Sequence, residues 1–247
     1  MNQIVNNNQR HLDVFIKGEV IDLCIPSKAP WVIEQWYKWF NNPKVTMYLE
    51  QGIFPNTKEM QEQFYDRVMN NEERIVLLIR PKIKEYFVGV ASLSFINFRK
   101  RSCHFAMVIG QQDNSPDSIF YAMEAKCRMT EHAFENVGIE RIQSEQVYDL
   151  IKWQRWQILF GYQIEGILRN NYRKGLKLID TMMSSCLLED YLRLKELRQG
   201  SFWPGKSKMF ELLKMLSTDS TIDRLQNWLA HEREQNWQFL IKSSQIV

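Results

Sequence analysis

The stretch GQQDNSPDSIFYAMEA, Gly110 to Ala125, has the residue types best suited to holding a charged ligand. An apolar run precedes it and an amphipathic run follows, so it reads as a strand end, a turn and a helix start. Ser115 suits the N-cap and Pro116 the first helical position. Free N–H groups and the positive end of the helix then point into the turn, where a phosphate is stabilised. Phosphate loops usually rely on glycine, because the backbone must come close to the oxygens. Here no glycine follows Gly110, and Asp113 and Asp117 add negative charge. The turn therefore reads either as a ligand cradle built without glycine or as an ordinary helix cap.

Other residues with chemistry are sparse. His104, in SCHFAMVIG, titrates near neutrality and suits a general base, with a hydrogen-bonded core histidine as the alternative. The polar turn RNNYRKG brings together Arg169, Tyr172, Arg173 and Lys174. These side chains suit a diphosphate and a stacked base, with a solvated hairpin as the alternative. No Ser/His/Asp or Cys/His set stands out. Cys24, Cys103, Cys127 and Cys186 are scattered without metal-ligand spacing, so no metal is expected and a reducing, cytoplasmic setting is. The opening MNQIVNNNQRHLD lacks a signal peptide's apolar segment, and no apolar run is long enough to cross a bilayer, so no membrane partner is expected. A net charge of +3 is too small to point to nucleic acid, and RKR at Arg99 to Arg101 reads as a solvated loop.

The elements that must position these residues follow from periodicity. Residues 1 to 12 are Asn-rich and expected to fray. A strand at Glu19–Ile25 precedes two helices, one opening at Pro30 and one after Thr57. Trp31, Trp36, Trp39 and Phe40 fall on the first helix as core packing. RIVLLIRP, YFVGVASLSFINF and SCHFAMVIG are three strands with short connections, apolar enough to be covered on both faces. A helix from Ser115 stops at Gly138, and the strand ERIQSEQVY follows. A helix from Asp149 to Gly161 and two strands around RNNYRKG complete the order β-α-α-β-β-β-α-β-α-β-β. Beyond Gly200 the turn-rich GSFWPG leads to helices at 206–217 and 219–242, the second capped at Thr218 or Asp219. The division predicted is a mixed α/β domain over 1–199 and a helical extension over 200–247, whose apolar faces suit a homo-oligomer.

This order, with the phrases along it, resembles the GNAT superfamily of CoA-dependent N-acyltransferases. It is most similar to the branch with ribosomal-protein and amino-sugar acetyltransferases. EAKCRMTEHAFENVGIERIQSEQV carries the resemblance through Glu124-Ala125, Ala133-Phe134, Gly138 and Arg141-Ile142. FGYQIEGILR carries it through Gly161, Tyr162, Glu165-Gly166 and Arg169, and Gly175 and Asp180 continue it. The resemblance implies a twisted, mostly antiparallel sheet of about seven strands flanked by helices. It also implies direct attack of an amine on the thioester of acyl-CoA. Backbone amides from Phe105 through Ala106, Met107 and Val108 to Ile109, with Gly110, would meet the thioester and pantetheine. Ser115 and Ser118 would meet the pyrophosphate.

Two departures stand out. Ser115, Ser118 and Phe120 occupy the defining positions of the Q/R-x-x-G-x-G/A loop, so both glycines are replaced. Leu150 stands where the family's Asn falls and Gln157 where its Tyr falls, leaving Tyr148 as the candidate acid for the departing thiolate. Glu124, Glu165 and His132 read as structural or exposed. The implied function is N-acylation of a small-molecule amine, a nucleotide-linked amino sugar being favoured. Protein N-terminal acetylation and a non-catalytic binding role are the alternatives.

Overall fold

A computed structural model describes residues 10–216 and 221–243. Of residues 1–12, expected to fray, 1–9 lie outside the described residues, as does the helix cap expected at Thr218 or Asp219; Leu12 is instead buried in the smaller of two apolar cores, because its side chain finds apolar cover there. Strands β1 (Val14–Lys17) and β2 (Ile21–Cys24) precede helices α1 (Pro30–Phe40), α2 (Pro43–Thr46) and α3 (Lys58–Met69). Then come β3 (Ile75–Pro81), β4 (Gly89–Asn97), β5 (Ser102–Ile109), α4 (Ser118–His132) and β6 (Arg141–Val147). Helix α5 (Ile151–Trp156), strands β7 (Gln163–Lys174) and β8 (Lys177–Leu187), and helices α6 (Leu188–Leu197), α7 (Lys206–Met215) and α8 (Thr221–Ser243) complete the chain.

The strands form one sheet in the order β1-β2-β3-β4-β5-β6-β8-β7, so the described sheet has eight strands where about seven were predicted. The added strand is β1, a short, mostly exposed edge strand with no apolar alternation to reveal it. Every neighbouring pair is antiparallel except β5 and β6, which α4 connects. The cover expected on both faces of the apolar strands is found at β3, whereas β5 leaves His104 and Ala106 exposed on one face. Leu77 and Ile79 join the larger core with α4, while their neighbours Val76 and Leu78 join a smaller core with Trp36 and Trp39 of α1 and Val68 of α3.

The punctuation holds where its chemistry is specific. Thr57 Oγ1 accepts the Met60 N–H at 3.2 Å and caps α3. After α4 a π-helical turn, Ala133–Val137, ends at Gly138 with φ of 77°, the left-handed conformation glycine tolerates best. The start of α4 lies two to three residues later than expected. Ser115 Oγ accepts the Asp117 N–H at 3.3 Å, a turn that precedes the helix, and Asp117 holds the cap position. Residues after Gly200 continue the main core, with Phe202, Trp203 and Met209 buried in it.

Candidate active site

The position of the site follows from how little β5 and β6 share. Their parallel pairing covers Ser102–Arg141, Cys103–Ile142 and His104–Gln143, and beyond Gln143 β6 stays paired with β8 as far as Val147. The two strands therefore diverge past His104. The Gly110 N–H donates to the Val88 carbonyl at 2.9 Å, which fixes the alternation along β5. Ala106, Val108 and Gly110 turn their backbone groups to β4, and Met107 and Ile109 turn theirs into the cleft. The run of backbone contacts expected from Phe105 to Gly110 is thus halved, because every second residue is already bonded to β4. Met107 N–H is thus a fixed donor that faces the cleft.

Side chains on β5 sort the same way. Phe105 is buried in the larger core, while His104 and Ala106 are exposed on the opposite face. His104 is consequently not a core histidine. Its ring stands 5.1 Å from that of Phe95, and partial burial lowers its pKa, opposed by the nearby charge of Glu145 and assisted by Arg141. Glu145 lies two residues beyond Gln143, the partner of His104, and so shares its face across the cleft. Its Oε1 accepts a 2.5 Å bond from Asn171 Nδ2, which also meets Thr181 Oγ1 at 2.9 Å. Sequence reasoning missed Glu145 and Asn171. The signal was present in the alternation of IQSEQV, which places Gln143 and Glu145 together, but their pairing across strands is set by tertiary structure. A neutral imidazole and a carboxylate beside a free backbone donor can take a proton from an amine while its nitrogen attacks a carbonyl.

The turn before α4 meets one end of this cleft. Its carboxylates are both engaged within the protein. Asp113 accepts the Ser115 N–H at 3.0 Å and the Tyr121 hydroxyl at 3.2 Å, with Lys84 at 3.9 Å. Asp117 is paired with Lys206 Nζ at 3.0 Å, a contact made by the C-terminal region. The Ser115 hydroxyl is occupied by the Asp117 N–H, and Ser118 opens the helix. Among the described residues, the backbone N–H groups of Gln112, Asp113 and Asn114 have no acceptor in the protein. Gly110 is required here for space, since a Cβ would lie 1.9 Å from the Trp39 ring.

The remaining candidates separate. Tyr172 is buried, and its hydroxyl meets the carbonyls of Met47 at 2.9 Å and Leu49 at 3.0 Å. Lys174 Nζ meets the Leu49 carbonyl at 2.9 Å and that of Gln51 at 2.6 Å. These two residues, predicted to face substrate, instead tie the β7–β8 hairpin to the loop after α2, because a buried hydroxyl must find a partner. Arg173 Nε donates to the Gly175 carbonyl at 3.2 Å, and Arg169 remains exposed at an irregularity in β7. Tyr148 donates to Asp223 of α8; that bond, with burial, pushes its pKa up to about 12. In this arrangement its proton is directed at Asp223 and away from any thiolate.

Two residues near the resemblance motifs have structural work. Glu124 is fully buried and accepts N–H bonds from Glu19 at 2.6 Å, Val20 at 2.7 Å and Ile21 at 3.2 Å, with Arg128 beside it. Glu165 pairs with Arg141 and Ser185, and Arg141 holds its carboxyl below the usual range. Among the described residues no three His, Cys, Asp or Glu side chains gather as metal ligands.

Comparison with known proteins matches residues 31–148 to the family model for the acetyltransferase (GNAT) domain. That stretch is similar to the GNAT acetyltransferase domain. Solved structures share the chain's fold. One is a spermidine N-acetyltransferase from Vibrio cholerae in complex with CoA and spermine, 17% identical, TM-score 0.61, covering 71% of this chain and 99% of that one. Another is a GCN5-related N-acetyltransferase from Brucella melitensis, 18% identical, TM-score 0.61, covering 80% and 87%. A third is the microcin C7 self-immunity acetyltransferase MccE with acetyl-CoA and AMP, 19% identical, TM-score 0.57, covering 69% and 94%. No curated protein matches the chain. No described helix is long and apolar enough to cross a membrane.

Proposed function

We propose that the chain is an N-acyltransferase that moves an acyl group from acyl-CoA to the primary amine of a small molecule, a nucleotide-linked amino sugar. The observation that carries this is the cleft between β5 and β6, with the Met107 and Ile109 backbone turned into it and His104 and Glu145 on its open face. The amine nitrogen attacks the thioester carbonyl carbon, the carbon–sulfur bond breaks and the CoA thiolate leaves. Met107 N–H is placed for the developing oxyanion. His104 takes the amine proton, with Glu145 favouring the imidazolium that results. No side chain is assigned as the acid for the thiolate, since Tyr148 is committed to Asp223; solvent fills that role.

The GNAT neighbours solved with acetyl-CoA or CoA support the donor. The turn before α4 is suited to the pyrophosphate, because its carboxylates are compensated and Gln112, Asp113 and Asn114 offer free N–H groups. One neighbour was solved with AMP and another with spermine, so acceptor class is decided by this chain's own residues. The exposed Arg169 favours a phosphorylated acceptor over a polycation. Self-association through the C-terminal helices is supported by the exposed Trp228, Trp237 and Ile241 of α8.

Thiol release from acetyl-CoA and longer acyl-CoAs, measured against nucleotide-linked amino sugars, polyamines and peptides, tests the proposal. Release with the first group and none with polyamines is expected. An absence of both thiol release and a CoA-dependent thermal shift would overturn the enzymatic reading in favour of a binding role.

A further inference from the structure

A second polar cavity, of about 650 Å³, lies where β7 loses register with β8. Pairing skips from Leu168–Thr181 to Tyr172–Ile179, so Arg169, Asn170 and Asn171 leave the regular ladder. Asn170 has φ of 51°, a left-handed conformation that non-glycine residues rarely adopt. Its N–H is held by the Asp180 carboxylate at 2.9 Å, which fixes the bulge and commits the one carboxylate among the described lining residues. Bulges of this kind re-aim side chains, and they recur beside active sites.

Two guanidinium groups line this cavity, Arg169 from the bulge and Arg233 from α8. Among the described residues neither guanidinium has a hydrogen-bonding or ionic partner. By contrast, Arg80, Arg101, Arg128 and Arg141 are all paired with carboxylates. Asn171 connects the cavity to the cleft, since it lines the first and its side chain donates to Glu145 at the second. Helix α8 is held in place there by the bond between Tyr148 and Asp223.

We infer that Arg169 and Arg233 form the diphosphate subsite for the acceptor, so that the C-terminal helix completes substrate recognition. This rests on the acyltransferase reading and replaces Tyr172 and Lys174 in the role the sequence suggested for them. A guanidinium pair presents forked donors that match adjacent phosphates, and the cavity volume is of the size that small-molecule ligands occupy. The occupant is a nucleoside diphosphate group carrying the amino sugar. The sugar amine then reaches the cleft past Asn171.

Calorimetric binding of UDP and of inorganic pyrophosphate to the full-length protein tests this, with Arg169→Gln, Arg233→Gln and, as a control, Lys206→Gln. CoA binding is measured on the same samples. Each arginine variant is expected to weaken UDP binding about tenfold or more, with CoA affinity and melting temperature unchanged. Lys206→Gln is expected to weaken CoA alone. UDP affinity unaffected by Arg233→Gln, or UDP displaced competitively by CoA, would overturn the subsite. If the variants lose UDP as expected but no acyl transfer occurs, the subsite stands and the enzymatic reading falls. CoA bound normally with no UDP binding rejects the subsite alone.

Discussion

His104 and Lys126 show how differently two titratable residues of adjacent elements can be used. His104 is exposed beside the cleft with its pKa lowered, so it is a neutral base at pH 7. Activity is expected to fall as pH drops through its pKa, below the ordinary imidazole value of about 6.5. His104→Gln is expected to lower kcat/KM by roughly a hundredfold and to remove that acid limb. A pH–rate profile of the variant that keeps the limb would assign the base elsewhere, with Glu145 the next candidate. Lys126, on α4, is fully buried with no hydrogen-bond partner for its Nζ, which lies 3.5 Å from the Tyr162 ring centre and 4.6 Å from that of Phe105. Burial lowers its pKa well below the usual lysine value. The unfolded chain therefore binds more protons than the folded one between the lowered pKa and about 10.4, and stability rises with pH across that window. Lys126→Met is expected to stabilise the fold by about 1–3 kcal/mol near neutrality, from relief of an unpaired buried polar group. The gain should shrink as pH approaches 10, which thermal melts of both proteins at several pH values will read.

At the scale of elements, the sequence was most legible where a local rule has a specific chemical cause. Thr57, Gly138 and Gly161 act at the helix ends where their chemistry places them. Helix α6 was not anticipated, because Leu188–Leu197 continues an apolar strand without a breaker. The cleft was legible only through the resemblance, since the length of the β5–β6 pairing depends on which strand β6 prefers beyond Gln143. Gly110 illustrates the limit well. Its sequence context suggested ligand approach, whereas the structure shows that it makes room for Trp39, which packs α1 against the start of the turn before α4. Gly110→Ala is expected to cost about 1–3 kcal/mol through overpacking. It should also raise KM for acyl-CoA more than it changes kcat, as melting and steady-state kinetics will show.

For the whole molecule, the C-terminal region is tied to the elements around the cleft. Trp203 Nε1 and the Lys206 N–H both bond to Glu19, Lys206 compensates Asp117, and Arg233 reaches the cavity beside β7. The later part of α8 exposes Trp237, Phe239 and Leu240, the apolar face on which the proposed self-association rests. Light scattering after size exclusion is expected to give a dimer, and Trp237→Glu with Ile241→Glu a monomer; a wild-type monomer at tens of micromolar would reject the pairing. Composition and near-neutral charge carry no information about which segment lines the cavity beside β7, so Arg233 could not be singled out from the sequence.

The three residue pairs that join β5 to β6 also make the sheet a seam between two independently knitted halves, one from β1 to β5 and one from β6 to β8. Central strands ordinarily shelter their amides from solvent exchange for as long as the fold survives. Here the Met107 and Ile109 amides lie mid-chain in such a strand with no partner strand beside them, so in deuterated water they should label early while those of Ala106 and Val108 label late. A ligand that spans the seam would stitch it, and the slowing of those two amides alone would report its arrival without any turnover being needed.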